Sequence, residues 1–179
     1  MGQLTDQIAV LEEGLSNLQK RVESVPVTEI LISRLLINLA REMSSHLDQR
    51  LRPSGLSEPE FKVLVSIYAS PDNVVNPSEL CVSIGQSPAN ITRLTDSLVE
   101  RELISRVADE NDRRKLLLQI TPHGTALIKK LMPVMTDGAR RNYRDFSKTE
   151  LKRLLADLKQ LAATIDRNAE NVAGKKTNE

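Results

Sequence analysis

In the stretch VADENDRRKLLLQIT, residues 107–121, acids at 109, 110 and 112 are followed by three consecutive cations, Arg113, Arg114 and Lys115. Neighbouring guanidinium groups hold phosphate oxygens or enter a groove of negative potential, and they keep their protons at neutral pH. Asp112 is placed to orient one of them, because a free arginine loses about 2 kcal/mol of rotamer entropy when it is fixed. A second set lies upstream: Ser87, Ala89, Asn90, Thr92 and Arg93. These are hydroxyl, methyl, amide and guanidinium groups, the types that bond base edges or phosphates. Bond-making chemistry has no comparable set. His46 and His123 are isolated, and the sequence shows no Ser/His/Asp arrangement, no metal-ligand cluster and no phosphate-cradling glycine loop. The chain therefore reads as a non-enzyme with no cofactor or metal.

The elements around these residues follow from capping chemistry. Asn76 is an N-cap with Pro77 as the first helical residue, and Gly85 closes that short helix. Ser87 and Pro88 open the next one, whose Ile91, Leu94 and Leu98 face inward. Ala89, Asn90, Thr92 and Arg93 then lie off the buried stripe in the first two turns. Two short helices across a Gly-containing turn are a helix-turn-helix. From residue 103 the period changes to two: 103–107 and 115–120 read as strands, with Leu116, Leu118 and Ile120 on one face. The charged stretch is thus the tip of a hairpin, and a hairpin directly after a helix-turn-helix is a wing. Between 86 and 121 six cations meet six anions, so any polyanion binding rests on sidedness and a moderate salt dependence.

The flanks are helical. Leu4, Ile8, Leu11, Leu15, Leu18 and Val22 form a heptad-like seam that ends before Pro26 and contains Gly14. It suits either the chain's own core or a partner chain. Residues 27–51 predict a second helix. Ser57 and Glu60 have capping-box spacing for a third, with Phe61, Leu64, Val65 and Tyr68 as its stripe. Thr121 and Pro122 start a helix to about 143, bent near Pro133. Ser147 and Glu150 form another capping box ahead of a helix over 148–168 carrying Leu151, Leu154, Leu155, Leu158, Leu161 and Ile165.

The bulk numbers agree with a helical protein about one domain in size. The chain has 179 residues, 2% aromatics and a net charge of +1, mildly unfavourable for a polyanion binder. The single Cys81 excludes an internal disulfide framework and reads as a small buried hydrophobe; a redox role for it is an alternative. The acidic start is unlike a secretory signal, and no apolar run is long enough for a membrane span, which places the chain in the cytoplasm.

The order from Asn76 to Gly124 resembles the winged helix-turn-helix of the multiple-antibiotic-resistance regulator (MarR) family. The most specific element is the wing pattern D-x-R followed by L-x-L/I-T, here Asp112, Arg114, Leu118, Ile120 and Thr121, then Gly124. Thr92, Arg93, Leu94, Asp96, Leu98 and Arg101 match a helix pattern of the family, as does PSEL at 77–80. Where the family has Gly after Glu-Arg, this chain has Glu102, so the turn into the first wing strand is open to change. The N-terminal arm and the ILISRLLINL start are most similar to the subgroup that represses multidrug-efflux operons.

The resemblance implies a mainly α fold with a small β-hairpin wing, that is, a winged helix-turn-helix lobe plus a helical dimerisation region. It assigns 1–25 to an N-terminal arm, 27–56 to a dimerisation helix, 57–121 to the DNA-binding lobe, 122–168 to C-terminal dimerisation helices and 169–179 to a flexible tail. It further implies a bacterial homodimer on a pseudo-palindromic double-stranded operator, and release by a small aromatic or amphipathic effector. The groove-facing residues are then Ser87, Ala89, Asn90, Thr92 and Arg93, and the wing residues Asp112, Arg113 and Arg114. An effector pocket of Leu35, Leu39, Met43, Phe61, Leu64 and Tyr68 competes with a plain-core reading of the same six. A winged helix used only for protein contacts is the other alternative.

Overall fold

The fold is that of a computed structural model, which describes residues 3–109, 112 and 115–176. Seven α-helices appear among them: α1 (Gln3–Gln19), α2 (Val27–Leu51), α3 (Glu58–Ala69), α4 (Pro77–Ile84), α5 (Pro88–Glu100), α6 (Pro122–Asn142) and α7 (Lys148–Lys176). Three strands, β1 (Val74–Val75), β2 (Ile104–Ala108) and β3 (Leu116–Ile120), pair antiparallel in the order β1-β3-β2. Val75 faces Leu118, and Arg106 faces the same Leu118 from the other side.

The caps act as the local chemistry requires. Ser57 and Glu60 form the reciprocal capping box at α3. Asn76 accepts from the Ser78 N–H at α4, and Ser87 accepts from the Asn90 N–H at α5. Gly85 closes α4 at φ +67°. Ser147 and Glu150 exchange bonds at the start of α7, with the Ser147 N–H on Oε2 at 2.8 Å.

Two compact units divide at Pro133, one covering Met1–Met132 and the other Pro133–Glu179. In the first, α3, α4, α5 and the sheet enclose Val63, Leu64, Ile67, Leu80, Leu98 and Leu118, each at most 1% exposed. Fully burying such a side chain contributes about 1.5–3 kcal/mol, so these few residues dominate the lobe. The α3 stripe is shifted from the expected one. Phe61 and Leu64 are buried, but Val63 and Ile67 complete the buried face, while Val65 and Tyr68 are half-buried. Helix α1 lies against α2, with Leu15 buried and Leu18 and Val22 exposed.

In the second unit α7 continues to Lys176, past the 168 expected from its leucine stripe. That stripe is open: Leu154, Leu155, Leu158, Leu161 and Ile165 are each 36–58% exposed. Pro133 sits inside α6. No helix among the described residues is long and apolar enough to cross a membrane.

Candidate nucleic-acid interface

The turn from α5 into β2 sets the angle between the two devices. The Glu102 N–H donates to the Val99 carbonyl (2.9 Å) and the Leu103 N–H to the Leu98 carbonyl (2.9 Å). That double closure is a Schellman motif, which needs a left-handed residue at its first position past the cap. Glu102 supplies it at φ +55°. The turn therefore keeps the geometry that glycine ordinarily provides, with strain in place of a changed path.

Thr121 and Gly124 lock the other end of the hairpin. The Thr121 hydroxyl donates to the Glu102 carbonyl (2.7 Å) and receives the Gly124 N–H (3.0 Å). A Cβ on Gly124 would lie 2.1 Å from the Leu103 carbonyl oxygen. The family pattern's Thr and Gly are thus explained by a helix start pressed against the root of the wing.

On α5, Ser87, Ala89, Thr92 and Arg93 are exposed and Asn90 is half-buried. Asn90 and Arg93 are linked rather than separate tips. Arg93 donates from Nη2 and Nε to Asn90 Oδ1 (2.9 and 3.2 Å), and Asn90 Nδ2 donates to Gln86 Oε1 (2.5 Å). The Thr92 hydroxyl is tied to the Pro88 carbonyl at 3.0 Å. Gln86 was not singled out from the sequence, although its i, i+4 spacing to Asn90 across the cap was a usable signal.

At the wing, Asp109 Oδ1 receives the Asp112 N–H (3.1 Å), and the Lys115 N–H donates to the Asp112 carbonyl (2.8 Å). Lys115 Nζ lies 3.8 Å from the Asp112 carboxylate. Asp109 and Asp112 thus make local carboxylate contacts within the tip. Arg113 and Arg114 lie outside the described residues, as do Glu110 and Asn111. Leu118 and Ile120 are buried on the inner face, but Leu116 at its outer end is 55% exposed. Arg106 of β2 is paired with Asp96, which ties the wing to α5.

An apolar cleft of about 340 Å³ opens between α4, α5 and the sheet, lined among others by Cys81, Ile91, Thr92, Thr95, Arg106 and Leu116. Cys81 is half-buried on its wall, where full burial was expected. The six candidate pocket residues fall into different surroundings. Phe61 and Leu64 belong to the core, Leu35 and Tyr68 are half-buried, and Leu39 and Met43 are 41% and 42% exposed. No group of three or more metal-type ligands occurs among the described residues.

Residues 56–116 match the model of the MarR family. The chain carries a MarR family domain. It is 29% identical over 156 residues to the transcriptional repressor MprA of Escherichia coli, covering 87% of this chain and 89% of that protein. Among solved structures it is similar to a mutant MarR from E. coli complexed with operator DNA, with a TM-score of 0.67 and 26% identity over 77% of this chain and 99% of that one. It is similar also to CouR from Rhodococcus jostii bound to p-coumaroyl-CoA, with a TM-score of 0.68 and 26% identity over 73% of this chain and 91% of that one. MarR family proteins are transcriptional regulators and not enzymes, and the fold here is their winged helix.

Proposed function

We propose that this MarR family regulator binds a pseudo-palindromic operator as a homodimer and represses transcription until a small effector releases it. The observation that carries the reading is the exposed N-terminal face of α5, where the Gln86–Asn90–Arg93 chain holds a guanidinium in place. Ser87, Ala89, Asn90, Thr92 and Arg93 face the major groove. Arg113 and Arg114 reach the flanking minor groove, and Asp112 steadies the tip. Two such lobes on a two-fold axis need half-sites about 34 Å apart.

The open leucine face of α7 supports two-chain assembly, because an uncovered apolar stripe of that length is unfavourable in water. The likeness to MprA supports repression, and the ILISRLLINL start supports a multidrug-efflux operon as the target. Such a regulator works in the bacterial cytoplasm, on the nucleoid when bound.

The effector site best supported is the cleft under α5. Its size suits a small amphipathic molecule. Thr92 lines it and also belongs to the groove-facing set, so an occupant bears directly on DNA contact. The likeness to a ligand-bound CouR favours an effector of this general kind.

The test is Arg114→Ala. Operator affinity falls by about 1–3 kcal/mol while the two-chain species persists in sedimentation. An unchanged affinity would favour a winged helix used only for protein contacts. The local charge balance also predicts a moderate dependence of log affinity on log salt, with a slope of roughly −4 to −6 for the dimer.

A further inference from the structure

The far end of α5 lies about 20 Å along the helix from its groove-facing start. It is held by polar contacts that the DNA reading does not use. Arg101 donates from Nη2 to the Ser54 carbonyl (2.9 Å) and from Nη1 to the Gly55 carbonyl (3.0 Å). Those carbonyls belong to the turn that follows α2, where Gly55 adopts φ +67°. Glu60, 9% exposed, completes the grip. One carboxylate oxygen receives the Ser97 hydroxyl of α5 (2.7 Å); the other receives the Ser57 N–H (2.8 Å) and hydroxyl (2.7 Å).

Helix α2 joins the same knot. Asp48 receives the Glu58 N–H (3.1 Å), Ser44 donates to the Glu58 carboxylate, and Leu51 ends α2 fully buried. The end of α2, the start of α3 and the end of α5 therefore meet in one polar joint around residues 51–57. Apolar side chains of similar volume would hold these helices together at least as strongly, because ionic groups lose hydration on burial. What hydrogen bonds to fixed carbonyls add is direction.

We propose that Arg101 and Glu60 are positioning residues for DNA recognition: without touching DNA they fix the angle between α5 and α2. The proposal rests on the two-fold operator reading above, in which α2 belongs to the dimer region. A swing of about 10° over a 20 Å helix moves its tip by about 3.5 Å, close to the rise of one base pair. The joint thereby sets which half-site spacing the dimer accepts.

The experiment uses a duplex that the wild-type protein selects from a random pool, remade with one base pair added between half-sites, and a duplex with a single half-site. Wild type loses about 30-fold on the added base pair, a penalty in the range of one wrong contact per half-site. Arg101→Gln binds the selected duplex about tenfold more weakly, yet loses only about threefold on the added base pair, and binds the single half-site within about twofold of wild type. Arg101→Lys, able to reach one carbonyl, falls between. If Arg101→Gln unfolds below assay temperature, Ser97→Ala is read by the same criteria. An unchanged spacing profile overturns the proposal. So does an equal loss on the single half-site, which would make Arg101 a DNA contact. Failure of wild type to select any duplex defeats the operator reading itself, a separate result.

Discussion

In the winged lobe Leu80, Leu94, Leu98 and Leu118 are each no more than 2% exposed, whereas on α7 Leu155 and Ile165 remain 54% and 58% exposed. Both regions carry a regular apolar period in sequence. In the lobe, three helices and a sheet from one stretch of chain answer that period. On α7 the same chain leaves it open. Periodicity states which face is apolar; it does not state what covers it. The lobe buries its own apolar face, and α7 does not.

The sharpest way to break that contrast is to place charge on α7. Leu154→Arg with Leu161→Arg should convert a two-chain species to a single chain in sedimentation, and lower operator affinity by at least about 100-fold through loss of the second half-site. The melting transition of the lobe should stay within a few degrees. A variant that still sediments as two chains would show that α7 is not the dimer surface.

Next in size is a change inside the lobe. Gly124→Ala drives a methyl into the Leu103 carbonyl and the Ile120 side chain, at 2.1 and 2.8 Å. Urea denaturation should show a loss of about 3 kcal/mol, at the upper end of overpacking costs. Gly14→Ala in α1 meets nothing within 4 Å, and should add about 0.5–1 kcal/mol by helix propensity. Equal effects at the two glycines would erase the distinction between a locked lobe and an open arm.

The joint at Glu60 gives a pH signature to the lobe alone. Burial pushes this carboxyl up, but the hydrogen bonds from Ser57 and Ser97 and the nearby Arg101 outweigh it, leaving the group below its ordinary value of 4.5. Its contribution is present above the unfolded-state value and is lost as pH falls through the folded one. Thermal melts of wild type and Glu60→Gln should differ most near neutral pH and converge as pH falls below the ordinary carboxylate range. A difference that stays constant with pH would remove the charge from the argument.

The smallest effect sharpens the lobe further. Glu102→Gly relieves a left-handed glutamate, and should raise stability by about 0.5–1 kcal/mol in chemical denaturation. A loss of stability would mean that the Glu102 side chain contributes more than its backbone strain costs.

Much of the lobe was legible because its signals are local. Ser57, Asn76 and Ser87 cap helices through bonds spanning two or three residues, and Pro77, Pro88 and Gly85 fix the flanking turns. The wing strands were found to within a residue by alternation. Strand β1 was missed, since two residues carry no period. The end of α7 was placed early because 169–176 has no leucine stripe, yet nothing there stops a helix. The residues proposed to face the groove were legible as a helix face, but the Gln86–Asn90–Arg93 chain that orders two of them was not. Least visible was the joint. Arg101 meets Ser54 and Gly55, and Ser97 meets Glu60, across 37–47 residues of chain. Spacing rules for helices and strands do not reach that far.

Two of the lobe's arginines are already spoken for: Arg106 by Asp96 and Arg101 by backbone carbonyls. Cations engaged internally are poor magnets for arbitrary duplex, so the operator reading proposed above predicts weak binding to DNA of unrelated sequence.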